Sequence, residues 1–188
     1  MNTLFSPIHR KTIQEVWDWY EFEVRVLGGA KGRVLDDVRT GVVVADPQFF
    51  GMTRGEIDGF FDRHHSELDF MTMLGLMAAA EGALQVDFRE RVKNHRQDPV
   101  SKLFHTINKQ SYSREKRGRI ELEQDVLDTW RDFGPGMTAL VGEFKGALKV
   151  RHWLAHGRYW EAKAGRPYYE PSDVFDICYN LLSVIDGV

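Results

Sequence analysis

KTIQEVWDWYEFEVRVL, running from Lys11 to Leu27, decides the fold class, because Ile13, Val16, Trp17, Tyr20, Val24 and Leu27 recur at steps of three and four residues. That spacing puts one apolar face on an α-helix, and Gly28-Gly29 supplies a stop signal after it. Outward from there, residues 29–51 follow no regular period, and Gly41-Val-Val-Val-Ala45 before Asp46-Pro47 fits either a short strand or an extended loop. Thr53 and Glu56 have the spacing of a capping box, so a helix is expected from about Arg54 to His64-His65. Ser66 with Asp69 looks like the cap of a further helix, Glu67 to Lys93. Asp98-Pro99 opens one to about Asn108, another covers Ile120 to Phe133, and Gly134-Pro135-Gly136 is a hard break. Met137 to about Ala155 follows, then a loop punctuated by Gly and Pro, and last a helix from Ser172 to Ile185. The expectation is an all-α helical bundle spanning 53–188, preceded by a helix and a less regular segment over 1–52.

The chain has 188 residues, of which 43% are hydrophobic and 28% charged, which excludes collagen-like, low-complexity and wholly disordered classes. Phe70 to Ala80 is the longest nearly apolar run, far short of the ~20 residues a membrane helix needs, and the start MNTLFSPIHRKT has no apolar signal core. The expectation is a cytoplasmic protein with no membrane partner. One cysteine, Cys178, allows neither an intrachain disulfide nor a thiolate-held cofactor. Net charge is −3, yet Arg89 to Ile120 carries a local balance of +7 and Lys145 to Arg166 one of +5. Two concentrated basic segments can bind a polyanion through one face whatever the global charge. Arg89, Arg91 and Lys93 also have a purely structural use, as charges complementing the dipole at a helix C-terminus.

On the helix that starts at Met137, a wheel with Leu140 at zero puts Phe144 at about 40°, Ala147 at about −20° and Leu154 at about −40°. Arg151 falls at about 20°, inside the apolar stripe. A guanidinium keeps its charge, so the position calls for a buried carboxylate, a subunit interface or an anionic ligand. His156 lies five residues on, about 140° away around the helix, and shares a site with Arg151 only if the helix unwinds at Gly157 or a second copy contributes.

Lys149-Val-Arg-His-Trp-Leu-Ala-His-Gly157 resembles the Arg-x4-6-His motif of the HEPN superfamily, where Leu-Ala or Ile-Ala precedes the histidine. The resemblance implies a bundle of HEPN type, a homodimer whose two motifs meet at a cleft, and activity as a metal-independent endoribonuclease in toxin-antitoxin or phage-defence systems. Other members of the family are non-catalytic binding modules for RNA, nucleotides or protein partners. Carried over position by position, Arg151 and His156 match the catalytic pair. His152, Arg158, Tyr159 and Lys163 stand beside it as candidate substrate-binding residues, and no metal or other cofactor is implied. The implied partners are RNA, a second copy of the chain, and a cognate antitoxin or defence-system protein. Two positions depart from the pattern: His152 stands where Asn or Asp is common, and Tyr159 follows His156 by three residues instead of the two found beside nucleotidyltransferase antitoxins.

A zinc site is the competing chemistry, since His152 and His156 are four apart on one helical face. Trp153, however, occupies the position of Glu in H-E-x-x-H, and His64-His65 with Glu67 joins only through a tertiary contact. Walker loops, G-x-G-x-x-G turns and nucleophile elbows are absent from the sequence.

Overall fold

The computed structural model describes residues 10–41, 46–113, 119–134, 136–158 and 168–186. It is an all-α bundle with no strand among those residues. Its helices are α1 (Ile13–Thr40), α2 (Arg54–Lys93), α3 (Pro99–Ser113), α4 (Asp128–Arg131), α5 (Met137–Ala155) and α6 (Pro171–Asp186). A single 3-10 turn, Pro47–Phe49, precedes α2, and a π-helical segment, Leu122–Leu127, runs directly into α4. Among the described residues, no helix is long and apolar enough to cross a membrane.

α3 runs to Ser113, past its expected end near Asn108, and the helix expected from Ile120 to Phe133 is helical only over residues 122–131. The two largest departures from the sequence reading, in α1 and α2, share one reason. α1 does not stop at Gly28-Gly29 but continues to Thr40, where Gly41 at φ 70° closes it. Each helical glycine costs about 1 kcal/mol relative to Ala, which burial of the second half outweighs. Val34, with Leu27, Ala30 and Leu35 beside it, forms a small apolar cluster with Phe49, Ile57 and Phe61. The segment read as irregular is therefore helical through Thr40, while the strand-or-loop stretch at 42–45 lies outside the described residues.

Likewise, α2 begins at the Thr53–Glu56 capping box but runs unbroken through His64, His65 and Ser66. The residues that resemble a cap are used otherwise. Ser66 Oγ donates to the Asp62 carbonyl at 3.0 Å, and Asp69 accepts from the Tyr20 hydroxyl at 2.7 Å. The result is one helix of 40 residues, about 60 Å long, around which the bundle is organised.

Its C-terminal half supplies Leu76, Met77, Ala80, Leu84 and Phe88 to the main core, where they meet Phe104, Trp130, Val141, Phe144, Ala147, Cys178 and Leu181. Within that core Arg91 is 1% exposed. Its Nε donates to Asp87 at 2.7 Å, Nη2 donates to the Ile185 carbonyl at 3.3 Å, and Nη1 lies 3.3 Å from Asp98. The guanidinium also sits 5.0 Å over the Trp130 ring. Arg91 thus ties α2 to the starts and ends of its neighbours, beyond complementing a helix dipole, and is withdrawn from any basic surface.

Candidate functional site

α5 spans Met137–Ala155, the limits set by Gly136 at φ 93° and by Gly157 at φ 85°. At its C-terminus the Arg158 N–H donates back to the Trp153 carbonyl at 3.2 Å and the His156 N–H to the His152 carbonyl at 3.1 Å. This is the wrapped ending in which late amides satisfy carbonyls of the last turn. Gly157 at φ 85° supplies the left-handed residue of this ending, and Arg158 beyond it also adopts φ 58°, a conformation that side-chain-bearing residues rarely take. Two contacts hold it there. Its guanidinium donates twice to Glu67 of α2, at 2.8 and 3.1 Å, and lies 4.9 Å over the Phe70 ring. Arg158 therefore fastens the end of α5 to α2.

Arg151 lies in the stripe the wheel gives it and turns toward α2, where its Nε is 2.9 Å from Glu81 Oε1. Both atoms are buried and the pair is too poorly aligned for a hydrogen bond. The side chain as a whole remains 35% exposed, so Glu81 holds the guanidinium by its inner edge. Burial raises the Glu81 carboxyl above its ordinary value, Arg151 pulls it back down, and Glu123 pushes it up again. Glu81 is the one charged residue between Asp69 and Asp87, and this isolation within an apolar run is the signal that marks it in the sequence.

Arg151 and Glu81 open into a groove of about 620 Å³ between α2, α5 and residues 119–124. The groove is polar and charge-balanced, since Arg119, Lys145 and Arg151 face Glu81, Glu121 and Glu123. Lys145 is also paired with Asp128 at 2.7 Å. His152 lines the groove, whereas His156, at the end of α5, does not. The two imidazoles nevertheless meet, with ring centroids 4.3 Å apart at 55°. Arg151 and His156 diverge around the helix as their spacing requires, and His152, between them in sequence, shares the groove with the first and a ring contact with the second. Tyr159 and Lys163 lie outside the described residues, as do Arg114, Lys116 and Arg117 of the first basic segment. Among the described residues no group of three His, Cys, Asp or Glu is placed to hold a metal ion.

A polar groove that holds a fixed guanidinium and one imidazole, with a second imidazole against the first just outside it, can bind a phosphodiester and move protons beside it. No family model matches the chain, and neither a curated protein nor a solved structure does.

Proposed function

We propose that the chain is a metal-independent endoribonuclease of HEPN type, cleaving single-stranded RNA by attack of the RNA's own 2'-hydroxyl. The observation that supports this reading best is the groove that holds Glu81, Arg151 and His152 together, in which the acid holds the inner edge of the arginine and the His152 ring meets that of His156 just outside. In the reaction the 2'-oxygen bonds to phosphorus, the bond from phosphorus to the 5'-oxygen breaks, and one proton moves from the first oxygen to the second. The products are a 2',3'-cyclic phosphate and a 5'-hydroxyl. His156 is the proton carrier, because an imidazole exchanges protons near neutral pH. Arg151 donates to the phosphorane oxygens in the bidentate manner suited to its fork. His152 orients the phosphate or Arg151. The same proposal gives the chain a toxin or phage-defence role, a homodimeric functional unit and a cognate antitoxin or defence-system partner.

The charge balance of the groove favours a second reading, a non-catalytic HEPN-like dimer that binds RNA, a nucleotide or a protein partner. Three carboxylates around Arg151 oppose an incoming polyanion, and the Glu81 pair serves structure as well as chemistry.

One experiment separates the two. Purified protein is incubated in EDTA with single-stranded RNA and with DNA of the same sequence. Cleavage of RNA alone is expected, since DNA lacks the attacking hydroxyl. Binding of RNA without cleavage, at stoichiometric protein and across varied sequences, would replace the nuclease with the binding module.

A further inference from the structure

α1 has two faces. The inward one meets α2 and α6. The outward one carries Trp19, Phe22 and Val26, which are 39%, 55% and 47% exposed. With Trp19 at zero on the wheel, Phe22 falls at about −60° and Val26 at about −20°, so the three form one stripe two turns long. Scattered exposed apolar residues are ordinary, but three large ones in a row on one helix face are an interaction surface.

The residues flanking the stripe indicate what covers it. When two copies of a helix pair antiparallel about a two-fold axis, residues equidistant from that axis face each other. With the axis at residue 24, Phe22 faces Val26 of a second copy. Trp19 faces Gly29, with Ala30 beside it. Glu15 faces Arg33, and both fall at about −40°, so their charges lie on the same side of the contact line. Glu15, Gly29 and Arg33 are all exposed. The space over Gly29 holds only the exposed Arg33 guanidinium, 3.6 Å from where a Cβ would stand, and pairing of Arg33 with Glu15 of the second copy would draw that side chain aside. An indole set over a glycine lets two helix axes approach closely, and an acid and a base equidistant from the centre close both ends of the contact.

We propose that α1 docks antiparallel on α1 of a second copy of this chain, with Trp19 over Gly29 and Ala30, Phe22 against Val26, and Glu15 paired to Arg33. The proposal does not rest on the ribonuclease reading. α1 contributes no residue to the Arg151 groove, so this surface is separate from the motif cleft that the HEPN resemblance implies, and the pairing leaves the groove open. A contact of one helix per copy is small, and a dissociation constant of about micromolar order is expected.

Sedimentation equilibrium of the full chain, from about 1 to about 100 µM, should show a reversible dimer. Phe22→Glu sets a charge in the centre of the contact and should weaken it by about 100-fold, while Arg33→Glu, which sets two acids face to face, should weaken it by about 10-fold. Both positions are exposed, so unchanged circular dichroism is expected for each variant. The antiparallel register has its own readout. A mixture of Trp19→Cys and Gly29→Cys chains should form a mixed disulfide. Either variant alone should not, because its two thiols would sit ten residues apart, about 15 Å along the axis and beyond disulfide reach. Cys178 is buried, with its thiol pushed up to about 12 by that burial, and stays out of the exchange. A monomer at the highest concentration, a dimer unaffected by Phe22→Glu, or equal cross-linking in the single-variant and mixed samples would overturn the proposal.

Discussion

Replacing Arg151 with Ala is expected to slow RNA cleavage by about 10²-fold or more, the scale on which removal of one preorganised donor to a developing charge acts. Because Arg151 also neutralises Glu81, that variant alone mixes a chemical loss with a structural one. Adding Glu81→Gln separates them. The double variant no longer holds an unpaired buried acid and should recover stability, but it should not recover cleavage. Arg151→Lys should keep the pairing with Glu81 and remain slow, since an ammonium cannot present two parallel donors to a phosphate. His156→Ala should cost about 10²-fold through loss of proton transfer, and Arg151→Ala/His156→Ala should be little worse than either single change, because both residues act on one transition state. Initial rates on a fluorescent single-stranded RNA, alongside urea unfolding of each variant, measure all of these. Recovery of cleavage in Arg151→Ala/Glu81→Gln would reduce Arg151 to a structural residue.

The largest loss of stability is expected at Arg91. Its guanidinium is fully buried and is held by Asp87, Asp98, the Ile185 carbonyl and the Trp130 ring. Arg91→Ala leaves the two carboxylates facing a cavity, and breaking a buried ion pair from one side costs about 3–5 kcal/mol. Asp98 is the more exposed to this loss. Burial pushes its carboxyl up, yet the Ser101 hydrogen bonds and Arg91 together hold it below its ordinary value. Asp98 also caps α3 through the Ser101 N–H at 2.9 Å, so the start of that helix should loosen with it. Thermal or urea unfolding measures the effect, and a fall below about 1 kcal/mol would show that the network contributes little. Arg91→Met, which fills the space and removes the charge, should still destabilise because both acids remain.

The fold class was legible in the sequence wherever local signals agreed with packing. α5 keeps the limits expected from Gly134-Pro135-Gly136 and Gly157, and α6, Pro171–Asp186, lies within one residue of the expected Ser172 to Ile185 at each end. The first two helices show where local signals fail. Gly28-Gly29 reads as a stop and Ser66 with Asp69 as a start, but each local preference is worth about 1 kcal/mol and yields to an apolar face that finds a partner across the α1–α2 hairpin. The π-helical turn at Leu122–Leu127 has no local sequence signature at all, and only its helical character was expected.

The candidate site divides in the same way. That Arg151 stands in an apolar stripe and diverges from His156 follows from residue spacing alone. That its charge is met by Glu81 does not, because the two are 70 residues apart and only the packing of α5 on α2 joins them. Arg158 is a related case. It reads as a free cation near the motif, whereas Glu67 and Phe70 engage it against α2, leaving its side chain 35% exposed. Arg91 counts toward the basic segment by sequence, yet three separate elements assemble its burial.

The most direct test of the central claim is the product of cleavage at one mapped site in an RNA that carries a single 2'-deoxy substitution there. Attack by the RNA's own hydroxyl predicts that this bond alone becomes resistant, while the unmodified RNA yields a 2',3'-cyclic phosphate and a 5'-hydroxyl in the presence of EDTA. Cleavage of the 2'-deoxy bond at an unchanged rate, or products bearing a 5'-phosphate, would contradict the mechanism assigned to Arg151 and His156.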